Sequence, residues 1–258
     1  MVLIMENKSF WRPKAVFTDS KNTLFGWDYI WIDSCRQILE KYGSSMAPID
    51  FWRTWIRVGA GENHKVAFGR YREFKETLQV GLEYAFQLTG IPGTREDISF
   101  MYERWDEVMP YPDVAPGLSR VQKLVPVLIF SNVETWALDL MVEKLEGFRP
   151  DFVGDMQKGH CSKPSPRAYS WVLETAGREL GLDLDFRDIL YVAGPQWDTQ
   201  AAMALGMKGM WIRRNQDIPA DEAHVGVEIW GEPYDYIVSD FNEVAEMVEK
   251  SMVWSPSA

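Results

Sequence analysis

Four short stretches of the chain bring reactive and polar side chains together: Asp19-Ser20-Lys21-Asn22-Thr23, Ser131-Asn132, Lys163-Pro164 and Gly194-Pro195-Gln196-Trp197-Asp198. Asp19, at the end of an apolar run, is a candidate carboxylate nucleophile that would form an ester with its substrate. Backbone N–H groups of the following turn can hold one of its oxygens. Lys163 would keep Asp19 ionised and oriented by opposite charge. Ser131 and Asn132 offer short polar contacts to a substrate carboxylate or a leaving group. Asp198 can take a proton from water and drive hydrolysis of the ester. Singly, each group has a plainer reading. Asp19 serves as a turn residue or cap, Ser131-Asn132 as a turn pair, Lys163 as a solvated charge and Asp198 as an N-cap. Their order, each beyond a strand-like run, favours the chemical reading.

The frame that would position them is also visible. Strand-like runs occur at 15–18, 126–130, 152–153, 189–192, 209–212 and 236–238, with helical patterns between them at 27–42, from 134, from 165, at 198–205 and at 241–248. Alternation of strand and helix at this spacing predicts an α/β fold, a doubly wound and mostly parallel sheet. Residues 48–109 read as helices only, with no strand. The expected plan is a core of 14–26 and 111–250, an inserted all-α cap of 27–110, and terminal extensions at 1–13 and 251–258. Ligands of open parallel sheets sit beyond the carboxyl ends of the strands, where all four stretches fall.

Composition narrows the function. The net charge of −11 argues against a nucleic-acid partner, whose phosphates require clustered Lys and Arg. No run approaches the ~18 apolar residues of a membrane span, and residues 1–14 hold too few apolar residues for a signal-peptide core. Cys35 and Cys161 are too few for a disulfide framework or a thiolate cluster. The three His show no ligand spacing. A reduced, soluble, cytoplasmic protein is expected. Of the twelve Trp, Trp52 and Trp197 are placed near the pocket by their neighbours Arg53 and Asp198. Trp27 and Trp31, one helical turn apart, would reach the core–cap seam, and Trp136 and Trp171 would be core. Residues 80–88 would serve either a homodimer interface or the cap's own core.

The four stretches resemble, in order and spacing, the motifs of the haloacid dehalogenase superfamily, over roughly residues 14–250. Within it the chain is most similar to the (S)-2-haloacid dehalogenases. The first motif lacks a second Asp, Ser131-Asn132 forms the second, and Trp52-Arg53 stands early in the cap. The resemblance implies a cofactor-free hydrolase acting at the α-carbon of a small 2-substituted carboxylic acid, giving a 2-hydroxy acid. It assigns Asp19 as nucleophile, oriented by Thr23, and steadied by Lys163 and Tyr169. Arg53 and Asn132 would receive the halide. Ser131, with Ser20, would bind the carboxylate, and Asp198 would handle water. Lys21 stands where those enzymes carry an aromatic residue, Asn22 where Gly is usual, and Ala193 and Pro195 where Ser and Asn are found. Lys21 could hold a further anionic group, protonate a leaving group poorer than halide, silence Asp19, or point to solvent. The alternatives are a metal-dependent phosphatase, a hydrolase of strained-ring acids, or a non-catalytic binding protein.

Overall fold

The computed structural model describes residues 11–214 and 234–253. Six strands form one parallel sheet: β1 (Ala15–Thr18), β4 (Val127–Ser131), β5 (Phe152–Asp155), β6 (Ile189–Ala193), β7 (Lys208–Ile212) and β8 (Tyr236–Val238). Their spatial order is β5-β4-β1-β6-β7-β8. The strands are apolar throughout because both faces are covered. Val16, Ile129, Leu190 and Val192 face one layer, and Phe17, Phe130 and Tyr191 face the other. The second layer is built on helix α8 (Pro166–Leu180), whose Ala168, Tyr169, Val172 and Ala176 pack on the sheet. Strand order reverses beside β1, which pairs in parallel with β4 on one side and β6 on the other. That places the switch point, and its crevice, beyond the end of β1.

Between β1 and β4 lie α1 (Asp28–Lys41), α2 (Pro48–Phe68) and α3 (Phe74–Thr89), followed by short helical turns. Trp31, Phe51, Trp55, Leu82 and Phe86 form their shared interior, continuous with the first sheet face. Helices α2 and α3 come close enough that a Cβ at Gly81 would lie 2.9 Å from the Cα of Gly59. The indole of Trp55 also donates to the Leu78 carbonyl at 3.1 Å.

Several expectations need correction. The 48–109 stretch does reach a strand. Met109–Pro110 (β3) pairs antiparallel with Phe25–Gly26 (β2), tying together the two ends of the helical block. Two residues, one a proline, are too few to show a strand period. The last helix, α10 (Phe241–Val253), runs past Ser251. Trp136 is half-exposed rather than core, resting edge-on against Trp105 on the outside of the molecule. In 80–88, Leu82, Ala85 and Phe86 face the helical interior, while Tyr84 and Leu88 are exposed. Asn22 is explained by its backbone. Its φ of +55° is left-handed, a region Asn tolerates better than most residues. Its amide donates to Asp28 at 2.9 Å and its oxygen accepts from the Trp27 N–H at 3.3 Å. Among the described residues no helix is long and apolar enough to cross a membrane.

Gly194 lets the loop after β6 approach the turn after β1. A Cβ there would lie 2.1 Å from the Asn22 carbonyl oxygen. Gly194→Ala is therefore expected to destabilise by about 1–3 kcal/mol, as overpacking does, lowering Tm by roughly 2–4 °C per kcal/mol. A melt indistinguishable from wild type would show that the two loops separate freely.

Candidate active site

Asp19 leaves the end of β1 with its N–H bonded to the Val192 carbonyl at 3.0 Å, so its backbone is fixed by β6. Its two oxygens are held separately. Thr23 donates to Oδ2 at 2.7 Å and Lys163 Nζ donates to Oδ1 at 2.7 Å. Thr23 Oγ1 in turn accepts the Gly194 N–H at 2.8 Å, so the hydroxyl proton is directed at Asp19.

Lys163 is the centre of the arrangement. Its ammonium also donates to Asp198 Oδ2 at 2.5 Å, to the Phe130 carbonyl at 3.0 Å and to the Tyr191 hydroxyl at 3.1 Å. Burial alone would push its pKa down. The two carboxylates outweigh that and hold it above the ordinary lysine value. Asp198 is fully buried in the first turn of α9 (Gln196–Ala204), where the free N–H end of a helix favours negative charge. It accepts from Tyr169 at 2.5 Å and Tyr191 at 2.8 Å. Burial raises its pKa, against the opposing pull of Lys163.

A cavity of about 90 Å³ opens above Asp19. Among the described residues, Asp19, Lys21, Asp28 and Lys163 are its ionisable lining groups, two of each sign. Ser131 and Asn132 add polar groups, and Trp31, Trp52, Trp55, Phe74 and Leu78 of the helical block supply apolar walls. Trp197 and Pro195 close another side.

Most of the predicted site residues converge, and some take other positions. Asp19, Lys21, Ser131, Asn132, Lys163, Trp52 and Trp197 line the cavity. Ser20 does not line it, but sits beneath Ser131 with the two hydroxyls 2.7 Å apart. Tyr169 reaches Asp198 rather than Asp19 or the cavity. Asp198 stands behind Lys163, its oxygens occupied by two tyrosines and the lysine. Asn132 grips the Lys163 backbone, accepting its N–H at 2.8 Å and donating to its carbonyl at 3.1 Å. Arg53 lies outside the lining, with its guanidinium 3.1 Å from Asp50 one helical turn back. Lys21 points neither to solvent nor directly at Asp19. Its ammonium lies over the Trp31 ring at 4.2 Å and the Trp27 ring at 5.4 Å. Burial lowers its pKa, opposed by Asp28 and Asp19.

Sequence reasoning missed Tyr191, which supports both Lys163 and Asp198 from inside β6. Strand alternation places it on the α8 side, and a polar tip on that face was the available signal. It also missed Arg214. Its Nη1 donates to both Asp113 carboxylate oxygens at 2.8 Å and its Nε donates to the Thr23 carbonyl at 2.9 Å, bracing the turn after Asp19.

No family model matches the chain. An (S)-2-haloacid dehalogenase of Pseudomonas fluorescens is 25% identical over 203 residues, covering 74% of this chain and 82% of the relative. The structure of an L-2-haloacid dehalogenase from Xanthobacter autotrophicus aligns over 92% of this chain and 98% of its own, with TM-score 0.73 and 20% identity. The form of that enzyme with chloropropionic acid covalently bound aligns with TM-score 0.70. A magnesium-bound Bacillus subtilis protein of the same fold, at 12% identity, covers 92% of this chain and 99% of its own, with TM-score 0.70. The chain thus has the haloacid dehalogenase fold, and its similarity is to the (S)-2-haloacid dehalogenases. Because the fold also accommodates a magnesium-bound protein, the residues of the site must decide the chemistry.

The lysine at the centre carries a stability signature. Lys163→Met leaves two buried carboxylates without their cation, which is expected to cost about 3–5 kcal/mol at neutral pH. The folded pKa of Lys163 is raised above its ordinary 10.5, so its contribution is fully present below that value. The contribution is lost as the pH rises through the higher folded value. Urea titrations of both proteins at pH 7, 9 and 11 would show a gap that narrows only at the last. A gap under ~1 kcal/mol at pH 7 would mean that the carboxylates are neutral without the lysine.

Proposed function

We propose that this protein is a hydrolase that displaces a halide from the α-carbon of a small 2-haloacid through a covalent Asp19 ester. The reading rests above all on one observation. The Asp19 carboxylate, held at both oxygens by Thr23 and Lys163, lines a small cavity with tryptophan walls. The curated relative named (S)-2-haloacid dehalogenase supports the same chemistry.

In the first step an Asp19 oxygen attacks the α-carbon from the side opposite the halogen, inverting it, and the C–X electron pair leaves with the halide. The tryptophan walls favour the apolar part of the substrate, and Ser131 lies in reach of its carboxylate. In the second step water attacks the Asp19 carbonyl carbon, releasing the 2-hydroxy acid and regenerating the carboxylate. Alkylation has by then removed the negative charge that paired Lys163 with Asp19. Lys163 passes a proton to Asp198, which burial already inclines towards the acid form, and takes one from the attacking water; the Asp198 proton then returns through Lys163 to the departing alkoxide oxygen, and the proton left on the Asp19 carboxyl goes to solvent. Asp198 therefore acts through Lys163 rather than on water directly. In this reading residues 14–26 and 111–250 form the catalytic core, and 27–110 the cap that encloses substrate.

The phosphatase reading fits the residues less well. A magnesium site needs several oxygen ligands. Position 194 is a glycine with no room for a side chain, and position 21, where a phosphatase carries its acid, is a lysine.

The test is halide release from chloroacetate, fluoroacetate and both enantiomers of 2-chloropropionate, in EDTA. Wild type is expected to release halide from at least one, and Asp19→Asn to fall by about 10³-fold or more, as for loss of a nucleophile. A single turnover in ¹⁸O-water should place the label in the Asp19 carboxylate, not in the product. Retained activity in Asp19→Asn, or loss in EDTA with rescue by Mg²⁺, would overturn the assignment.

A further inference from the structure

We propose that Lys21 receives the departing halide. The inference rests on the dehalogenase reading and specifies how that site handles its leaving group.

Displacement by a carboxylate moves one negative charge without moving a proton. The C–X bond breaks as the O–C bond forms, and the charge that began on Asp19 ends on the halide a few ångströms away. At the start Lys163 holds that charge. A second cation is needed where it arrives. Of the two residues to which the family resemblance assigns that task, Arg53 is turned to Asp50 outside the cavity lining, and the amide of Asn132 is engaged at both ends by the Lys163 backbone. Among the described residues Lys21 is the other cation of the lining.

Its surroundings suit the task. The Nζ lies on the faces of Trp31 and Trp27 and makes no hydrogen bond or ion pair among the described residues, so its three donors are available. The indole N–H groups of Trp31 and Trp52, two residues of the lining, are buried and lack a hydrogen-bond partner among the described residues. Orphaned buried donors are uncommon and call for an acceptor. An ammonium with its donors available, set against aromatic rings, suits a monatomic anion. The size of the cavity points the same way. At about 90 Å³ it is smaller than the ~150 Å³ site that holds benzene, leaving little room for a second anionic group on a larger acid.

The experiment compares wild type, Lys21→Met and Lys21→Arg on 2-chloro-, 2-bromo- and 2-iodopropionate and on 2-chlorosuccinate. Chloride, the poorest leaving group of the three, depends most on the donor. In Lys21→Met kcat/KM is expected to fall about 100-fold for chloride and about tenfold or less for iodide, the range seen when one transition-state donor is removed. Lys21→Arg should recover much of the loss. An unchanged ratio between halogens overturns the proposal, as does a loss confined to 2-chlorosuccinate, which would assign Lys21 to a second carboxylate.

A binding measurement keeps Lys21 testable if wild type releases no halide at all, an outcome that sinks the dehalogenase reading itself. Bromide is titrated at constant ionic strength against tryptophan fluorescence. Saturable quenching in wild type and linear quenching in Lys21→Met, with equal Tm, supports a halide site at Lys21. Linear quenching in both overturns it.

Discussion

The Lys163 side chain, only 1% exposed, buries one positive charge between two carboxylates. Removing such ions from water costs several kcal/mol each, and only excellent geometry offsets it. Here the geometry comes from the sheet. Asp19 stands at the end of β1, Phe130 is in β4 and Tyr191 in β6, so three adjacent strands each offer the ammonium an oxygen. A slip of one residue in any of them would turn the wrong face toward Lys163 and leave the charge unpaired. The register of the central sheet and the placement of Asp19 are therefore one constraint.

The outer parts of the molecule carry that constraint to the loops. Asn132 holds the Lys163 backbone by both its N–H and its carbonyl, linking the turn after β4 to the lysine. Beyond β7, Arg214 joins the Thr23 carbonyl to Asp113, which also accepts the Phe241 N–H at the start of α10. Burial pushes the Arg214 pKa down and Asp113 opposes it, the pattern of a desolvated pair. The antiparallel β2–β3 ribbon clips the helical block to the same turn, with the Tyr111 N–H reaching the Leu24 carbonyl at 2.9 Å. Residues 19–25 are thus fixed from the sheet, from α10 and from the base of the helical block.

What the sequence reveals follows from how locally each feature is encoded. The alternation of apolar strands and amphipathic helices is written in every segment, so the α/β plan, the six strands and the helical insertion are legible without coordinates. The four stretches at the strand ends are legible too, because the fold turns sequence order into spatial convergence. Side-chain direction is less so. Arg53 stands next to Trp52, yet a helix turns successive residues by about 100°, so only one of them faces the cavity. The family resemblance pairs Tyr169 with Asp19, but its hydroxyl lands on Asp198. Tyr191 and Arg214 lie within or just beyond strands, where a polar tip on an apolar run carries no motif. The position of Lys21 against two indoles depends on where α1 packs, a tertiary fact with no local trace.

The distribution of cations separates this site from a metal-dependent one on the same fold. Phosphoryl chemistry spreads charge over several oxygens and favours a divalent ion bridging them. Such an ion needs oxygens from both the first and the fourth motif. Here the Asn22 carbonyl fills the space a side chain at 194 would need, and Lys21 replaces the acid of the first motif. Displacement at carbon asks for less. The nucleophile must be ionised and oriented, and the charge must be met where it goes. A fixed ammonium behind the carboxylate and a second one across the cavity meet both needs with single charges. Lys21 lies on aromatic faces, with Asp28 and Asp19 near enough to act on its charge but with no hydrogen bond to either among the described residues. Its donors are therefore available to an anion forming in the cavity. The substitutions that remove the oxygens of a metal site also supply a cation at the far end of the charge's path.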